Sequence, residues 1–258
     1  METTTEFGNS LRKKFWKQGR EFISFMLLTY PVGILLGVLF NLLRLIRFIR
    51  VRHPERFPHG RGRIVVYANH HSYYGEAFTL PALFFRDYLF HPWRRGPWST
   101  PDKANFIDKP FFFWLRPRAI PVPRGNKQKE NNFLLRCIKA VYEGGNLILF
   151  PEGGRTSSGK EHLFSPSGKP IRPFKGGLPL LIKAIPEAAI VPVWLENFDR
   201  VLPDKPDRRG SIFPRFWKGP IIIKIGQPLG FGKEEESGAM KCRLEQALLE
   251  LADEVSTE

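Results

Sequence analysis

A long apolar segment near the N-terminus constrains this chain more than any other feature. From residue 22 to residue 43 the sequence "FISFMLLTYPVGILLGVLFNLL" contains no charged side chain. About 20 apolar residues are enough for a helix to cross the hydrocarbon core of a bilayer. The segment lacks the small-residue cleavage site of a signal peptide and continues directly into arginines. We therefore expect residues 1–52 to form a membrane-associated helical segment.

The residues around and within this segment leave its arrangement in the membrane open. Basic side chains flank it on both sides, namely Lys13, Lys14, Lys17, Arg20, Arg44, Arg47, Arg50 and Arg52. Because both flanks are basic, the preference for positive charge on the cytoplasmic side selects no orientation. Pro31 and Gly33 interrupt the middle, so two short helices that dip into the bilayer are an alternative to one span. A buried helix of a soluble protein is the competing interpretation.

The composition indicates an anionic partner and a reducing compartment. The 258 residues include 40 Lys and Arg but only 25 Asp and Glu, which gives a formal net charge of +15. Such a surplus is typical of proteins that bind nucleic acid, an anionic bilayer or phosphorylated substrates. The 23 Phe and 6 Trp favour a membrane over a nucleic acid. Cys137 and Cys242 have no metal-ligand spacing, so we expect neither a disulfide scaffold nor a zinc site.

Apolar strands and amphipathic helices alternate through the rest of the chain. A linker rich in Pro, Gly and Arg comes first. Four apolar stretches after it are typical of strands, at residues 63–68, 146–150, 189–195 and 220–226. Helical spacing precedes the second of these stretches, and the C-terminal stretch is amphipathic. The alternation predicts an α/β domain over residues 53–258, with a mixed, largely parallel sheet flanked by helices.

A histidine motif, "YANHHSYYGEAF" at residues 67–78, directly follows the first predicted strand. A carboxylate bonded to one imidazole nitrogen fixes the tautomer and stabilises the imidazolium that forms when the other nitrogen takes a proton. Glu76, five residues after His71, can reach back to that histidine but is awkwardly placed for His70. The motif is therefore compatible with general-base catalysis on a substrate hydroxyl, and a polar helix start with surface histidines is the alternative.

A glycine-rich motif, "FPEGGRTSSG" at residues 150–159, follows the second predicted strand. Glycines after a strand let backbone amides approach an anion, and Arg155 can add a bidentate contact to phosphate. A glycine-rich turn with a solvated arginine is the alternative. Because ligands in α/β sheets bind where strands end, we expect both motifs to belong to one site.

Four stretches together carry a family resemblance: "NHHSYYGE", "FIDKPFFFWLRPRAIPVPRG", "FPEGGRTSSG" and "FKGGLPLLIKAIPEAAIVPVWLEN". In this order they resemble the four successive blocks of the glycerolipid (lysophospholipid) acyltransferase family, typified by bacterial 1-acylglycerol-3-phosphate acyltransferase. The resemblance covers roughly residues 63–195. It implies an α/β fold with a catalytic histidine and a carboxylate in the first block.

The first block departs from the family pattern, which is Asn-His-x-Ser with four residues between the histidine and its acid. Aligning Asn69 with the family asparagine makes His70 the base and places Gly75 where the acid is expected. Aligning by spacing instead makes His71 and Glu76 the pair. We favour His71 with Glu76, because the chemistry requires the carboxylate more than the asparagine, and His70 remains the alternative base.

The other blocks imply an acceptor site. By resemblance, Arg124 in the second block binds the phosphate of the acceptor, and Glu152, Gly153 and Arg155 of the third block line the same site. Lys175 lies where the family often has Phe-Lys-x-Gly. The stretch from Gly159 to Pro173 is longer than in the compact family pattern.

The resemblance implies transfer of a fatty acyl group from an acyl thioester, acyl-CoA or acyl carrier protein, to the hydroxyl of a lysophospholipid. Lysophosphatidic acid is the favoured acceptor, and we expect no metal or bound cofactor. The expected partners are membrane lipid and these substrates, with the active site on the cytoplasmic side of the membrane. Another lipid acceptor (a glycolipid, a carotenoid glycoside or an amino-acid lipid) and a catalytically silent lipid-binding protein are the alternatives. The uncharged N-terminal run argues against nucleic-acid binding.

Overall fold

The computed structural model describes residues 16, 19–72, 75–123, 127–201, 215–232 and 234–255. The helices are α1 (Gly19–Leu45), α2 (Gly75–Thr79), α3 (Phe85–Phe90), α4 (Pro92–Arg95), α5 (Lys127–Tyr142), α6 (Gly177–Ala184), α7 (Phe198–Val201) and α8 (Ser237–Asp253). The strands are β1 (Ile49–Arg52), β2 (Ile64–Ala68), β3 (Pro97–Trp98), β4 (Asn146–Leu149), β5 (Leu163–Phe164), β6 (Pro170–Ile171), β7 (Ala189–Glu196) and β8 (Ile221–Ile225). Short 3₁₀ turns connect several of them.

A six-stranded sheet with the order β1-β8-β7-β2-β4-β3 forms the centre of the molecule. Neighbouring strands are parallel, except that β7 and β8 are antiparallel. The strands β5 and β6 form a separate two-stranded hairpin. The predicted mixed, largely parallel sheet is confirmed.

Helices cover both faces of the sheet, because successive side chains of a strand point to opposite faces. Val65 and Tyr67 of β2 pack in the core that β2 forms with α5, α6 and α8. Ile64 and Val66 pack in the core formed with α1 and the 3₁₀ helix Leu80–Phe84. A strand buried on both faces has a continuous apolar sequence, which explains why the four predicted strands could be recognised.

The four predicted strands do not include β1, β3, β5 and β6, of which β1 is the longest. The sequence of β1, Ile-Arg-Val-Arg, alternates apolar and charged residues and is indistinguishable from the basic flank of the apolar segment. It pairs with β8 through Ile49 and Ile221. The predicted division between residues 52 and 53 therefore falls directly after a strand of the sheet, and this division of the chain stays a prediction.

The apolar segment forms one helix, α1, rather than two short helices. A π-helical turn over Phe25–Thr29 precedes Pro31. Such a turn relieves the conflict between a proline ring and the carbonyl four residues earlier. One face of α1 packs on the body of the protein through Phe25, Thr29, Gly37 and Phe40. The opposite face exposes apolar side chains, among them Leu27, Leu35, Leu39 and Leu42.

Gly37→Ala is expected to weaken the packing of α1 against the body. A Cβ at this position would lie 2.1 Å from Cδ2 of Phe85, so the ring must move. Overpacking of this kind costs about 1–3 kcal/mol, which we expect to lower Tm by roughly 2–10 °C in a protein of this size. Gly19→Ala on the same helix is the control, because a Cβ there meets nothing within 4 Å. Equal Tm values for the two variants in thermal unfolding would contradict the packing described here.

Candidate active site

The two polar motifs meet at one end of the sheet, as their positions after strands predicted. β2 and β4 are parallel neighbours in which Tyr67 is paired with Leu149. The chain that follows each strand therefore leaves the sheet at the same edge. The backbone N–H of Thr156 donates to the carbonyl oxygen of His70 at 2.7 Å. This bond joins the histidine turn directly to the glycine-rich loop.

Asn69 anchors the histidine turn to the neighbouring strand β7. Its side chain is fully buried. Its Nδ2 donates to the carbonyl oxygen of Leu195 at 2.8 Å, and its Oδ1 accepts from the N–H of Leu195 at 2.7 Å. A paired amide of this kind replaces the ladder bonds that the sheet would otherwise make at this point. The position of the next residue, His70, is set by this contact.

The carboxylate of Glu76 lies against the ring of His70, not against the ring of His71. Its Oε2 is 3.4 Å from Nδ1 of His70, an ion-pair distance that is longer than a usual hydrogen bond. His71 contacts the same carboxylate through its backbone N–H, at 2.7 Å from Oε1. The ring of His71 packs edge-on against Trp194. The geometry therefore pairs Glu76 with His70 rather than with His71, which the spacing favours, and the identity of the catalytic base stays a prediction.

The spacing does not predict this contact because residues 69–72 are not helical. The described part of α2 begins at Gly75. Oε1 of Glu76 accepts the backbone N–H groups of His71 and Ser72, and Oε2 accepts the Ser72 hydroxyl at 2.6 Å. The turn therefore wraps around the carboxylate and directs the imidazole of His70 toward it. A ring contact with Phe150, with centroids 4.5 Å apart, holds the other face of that imidazole.

Glu152 is the second buried carboxylate of the site and the point where three segments join. It accepts the backbone N–H of His70 and that of Arg172, each at 2.9 Å. The hydroxyl of Thr156 donates to both of its oxygens. Its carboxylate is thus occupied by protein donors, whereas the family resemblance placed Glu152 in contact with the acceptor. Sequence analysis missed Thr156 and Arg172, whose roles depend on this tertiary contact.

Burial acts on both carboxylates, but their pKa values move in opposite directions. For Glu76, burial alone would raise the pKa, yet contacts with His70 and Ser72 outweigh it and lower the pKa. For Glu152, burial dominates over the bonds from Arg172, Thr156 and His70 and raises the pKa. Glu76 is therefore ionised at neutral pH, as orientation of a histidine requires. Its contribution to stability is present above its unfolded pKa and is lost as the pH falls through its lower folded value.

The glycines of the glycine-rich loop allow close contacts that a larger side chain at the same positions would prevent. Gly153 has φ +67°, which only glycine adopts freely, and the Lys175 side chain lies against it. A Cβ on Gly154 or on Gly159 would come within 2.6 Å of the guanidinium of Arg172. The longer stretch after Gly159 forms the hairpin of β5 and β6 and delivers Arg172 to this loop. Arg172 was not a sequence-predicted site residue.

A cavity of about 650 Å³ opens beside His70. Its wall includes Gly153, Gly154, Lys175 and the N-terminus of α6. Apolar side chains of α5 and α6 also line it, namely Phe133, Leu134, Cys137, Leu178, Leu180 and Leu181. The wall therefore combines apolar side chains with polar groups, and Asp102 and Glu130 are among the polar ones.

Among the described residues, not every sequence-predicted site residue lines this cavity. Arg124 lies outside the described residues. Arg155 begins the 3₁₀ turn Thr156–Ser158 next to the loop and is half-buried, but it is not part of the cavity wall. The "FFFW" stretch belongs to the 3₁₀ helix Pro110–Arg118, where Phe112 is buried and Phe111 is exposed. Within the described ranges, no group of three His, Cys, Asp or Glu side chains is arranged to hold a metal ion.

Comparison with known proteins agrees with this arrangement. The model of the acyltransferase family matches residues 48–196. The fold is similar to that of the 1-acyl-sn-glycerophosphate (LPA) acyltransferase PlsC from Thermotoga maritima, with a TM-score of 0.59 and 18% sequence identity. That similarity covers 94% of this chain and 90% of the other. No curated protein matches the chain by sequence. Residues 48–196 contain both loops of the site, and the chain therefore belongs to the acyltransferase family.

Proposed function

We propose that this protein transfers a fatty acyl group from an acyl thioester, acyl-CoA or acyl carrier protein, to the hydroxyl of a lysophospholipid. Lysophosphatidic acid is the favoured acceptor. The observation that carries the proposal is the contact between Glu76 and His70 beside a cavity lined by both apolar and polar residues. A histidine held by a carboxylate suits a general base, and a cavity with such a wall suits an amphiphilic substrate.

His70 is the proposed general base. Glu76 lies at its Nδ1, which leaves Nε2 to take the proton of the acceptor hydroxyl. The hydroxyl oxygen then attacks the thioester carbonyl, and the bond between that carbon and sulfur breaks. The imidazolium returns its proton to the departing thiolate, so the products are the acylated acceptor and a free thiol. No metal or cofactor takes part in these steps.

Positive groups in the cavity wall suit a phosphorylated acceptor. Lys175 and the N-terminus of α6 belong to this wall, and helix N-termini favour anions. Arg155 and Arg172 lie in or against the adjoining glycine-rich loop. We propose, from the family resemblance, that Arg124 binds the phosphate of the acceptor. Glu152 is a positioning residue on this proposal, because its carboxylate is used by the backbone and by Thr156.

The exposed apolar face of α1 supports membrane attachment. Because the other face of α1 packs along the body, we place the helix in the plane of one leaflet, with its apolar face among the acyl chains. Lipid acceptors then reach the site from the leaflet, and soluble acyl donors reach it from the cytoplasm. On this proposal the active site faces the cytoplasm.

An acyl-transfer assay tests the proposal. Purified protein in detergent is incubated with labelled acyl-CoA or acyl carrier protein and lysophosphatidic acid, and lipids are separated by thin-layer chromatography. We expect labelled phosphatidic acid, with at least about 100-fold less formed per unit time by His70→Ala. A product formed only with glycolipid or amino-acid lipid acceptors would replace the proposed acceptor. Absence of product with every acceptor would support a lipid-binding role without catalysis.

Arg155→Ala is expected to weaken use of the acceptor by about 10- to 150-fold, because a charge-assisted hydrogen bond contributes about 1.5–3 kcal/mol. The loss should appear as a raised KM for the phosphorylated acceptor, with little change in KM for the donor. Arg136→Ala is the control, since Arg136 is exposed on α5. A selective rise in the donor KM would instead assign Arg155 to the donor.

A further inference from the structure

Large apolar side chains are exposed where α1 ends. Leu45 and Ile46 are 79% and 70% exposed, and on the neighbouring 3₁₀ turn Phe216–Lys218 the residues Phe216 and Trp217 are 59% and 78% exposed. We call these four residues the helix-end patch. Exposed aromatic and aliphatic side chains that cluster in this way mark interaction sites. The proposed acyl transfer does not use them.

The helix-end patch is one surface rather than two separate features. The ring of Phe48, which follows α1, lies 5.5 Å from the ring of Phe216. Phe48 also packs against Gly219, and its carbonyl oxygen accepts from the N–H of Ile221. These contacts hold the 3₁₀ turn beside the end of α1. The patch therefore continues the exposed apolar face of that helix.

A pocket lined by arginines adjoins the patch. It has a volume of about 390 Å³ and is lined by Arg44, Arg47, Arg50 and Arg52 together with Ile49 and Val51. Arg47 has φ +58°, directly after the end of α1, where glycine or asparagine is usual. An arginine at this position costs about 1–2 kcal/mol of backbone strain. A requirement for its charge explains why it is present.

Protection of an edge strand explains only part of this surface. Charged residues on β1 prevent pairing with another chain, which accounts for Arg50 and Arg52. Edge protection does not account for Arg47, which precedes the strand, or for the exposure of Phe216 and Trp217. Arginines next to exposed Trp, Phe and Leu are instead typical of a protein surface at the boundary between lipid headgroups and acyl chains.

The register of the sheet places this surface at the same end as the active site. Ile49 pairs with Ile221, and Ile222 pairs with Glu196 at the C-terminal end of β7. The start of β1 therefore lies level with the end of β7 and with the turn that carries His70 after β2. Three strand spacings separate β1 from β2, about 14 Å. One membrane plane can contact both places.

We infer that the helix-end patch and the arginine pocket form a binding site for anionic phospholipid, separate from the acceptor site. The arginines bind headgroup phosphate, and Leu45, Ile46, Phe216 and Trp217 enter the interfacial layer. This second contact turns the active-site end of the sheet toward the bilayer. The inference goes beyond acyl transfer and does not depend on it.

Vesicle flotation tests the charged half of the site. Full-length protein is mixed with phosphatidylcholine vesicles that contain or lack phosphatidylglycerol. Replacing Arg44, Arg47 and Arg50 by Gln is expected to reduce the added affinity for phosphatidylglycerol vesicles by about 100-fold at low salt, since each arginine at an anionic surface contributes roughly fivefold. The matched control replaces Arg136, Lys139 and Lys183 by Gln, which removes the same charge from exposed positions of α5 and α6.

Quenching by brominated phospholipid tests whether the helix-end patch enters the bilayer. Trp217→Phe should remove a share of the tryptophan emission that vesicles with brominated acyl chains quench. Phe216→Ala with Trp217→Ala should weaken binding to both kinds of vesicle. Phe164→Ala is the control, because Phe164 is an exposed aromatic residue on the β5–β6 hairpin. This variant should bind both kinds of vesicle as the wild type does.

The inference is overturned if the control triple variant loses phosphatidylglycerol preference as much as the arginine variant, because net charge then suffices. It is also overturned if the arginine variant keeps that preference but uses acyl carrier protein poorly, which would make the surface a docking site for an acidic protein. Transfer to micellar lysophosphatidic acid, measured in parallel, reports separately on the proposed function. If the wild-type protein transfers acyl groups but shows no preference for phosphatidylglycerol vesicles, this inference is wrong and the proposed function still stands.

Discussion

His70→Ala is expected to lower kcat by about 10²- to 10⁴-fold, the usual contribution of a positioned general base. Glu76→Gln should cause a loss of the same order, because Gln at this position removes the negative charge that stabilises the imidazolium. The double variant should be hardly worse than the poorer single variant, since residues that act as a unit are not additive. Steady-state kinetics with saturating acceptor measure all three.

His71→Ala is the matched control for the general base. Its ring packs against Trp194, and its backbone N–H, which alanine retains, donates to Glu76. We therefore expect this variant to keep most of its activity. An inactive His71→Ala together with an active His70→Ala would reverse the assignment and restore the interpretation based on spacing.

Glu152→Ala is expected to lower the free energy of unfolding by about 2–6 kcal/mol and to abolish activity. The change leaves the backbone N–H groups of His70 and Arg172 without their acceptor, whereas the hydroxyl of Thr156 can still donate to the carbonyl oxygen of His70. Each unsatisfied buried donor costs about 1–3 kcal/mol. Urea unfolding in detergent at constant protein concentration measures the loss of stability.

Glu152→Gln separates the structural role of this residue from its charge. The amide keeps one acceptor oxygen but turns an N–H₂ group toward one of the donors, so we expect an intermediate loss of stability. Because burial raises the pKa of Glu152, the stability linked to its protonation is present at low pH and lost as the pH rises through that pKa. The Gln variant should lack this pH dependence.

Unchanged stability of Glu152→Ala would contradict the first of these two predictions, because it would show that the hydrogen bonds of Glu152 contribute little.

The sheet could be predicted because its central strands are buried on both faces. Such strands are continuous apolar runs, and β2, β4, β7 and β8 were all recognised in this way. The edge strand β1 has one exposed face and carries Arg50 and Arg52, so it was indistinguishable from the basic flank of α1. Its assignment as a strand depends on pairing with β8, which is remote in sequence.

The meeting of the two motifs could also be predicted, whereas their internal geometry could not. Parallel neighbouring strands deliver the chain to the same edge of a sheet, and this rule brought the loops after β2 and β4 together. The direction of each histidine ring depends on the turn at residues 69–72. That turn is held by Leu195 and by Glu152, both remote in sequence.

The sequence by itself determined the four central strands, the apolar helix and the family resemblance, because apolar periodicity and short motifs are local properties. Only the tertiary structure decided that Glu76 faces His70, that Glu152 joins three segments and that Arg172 reaches the glycine-rich loop. Each of these contacts satisfies a buried polar group with a partner from another part of the chain. Burial, which makes such partners necessary, exists only in the folded protein.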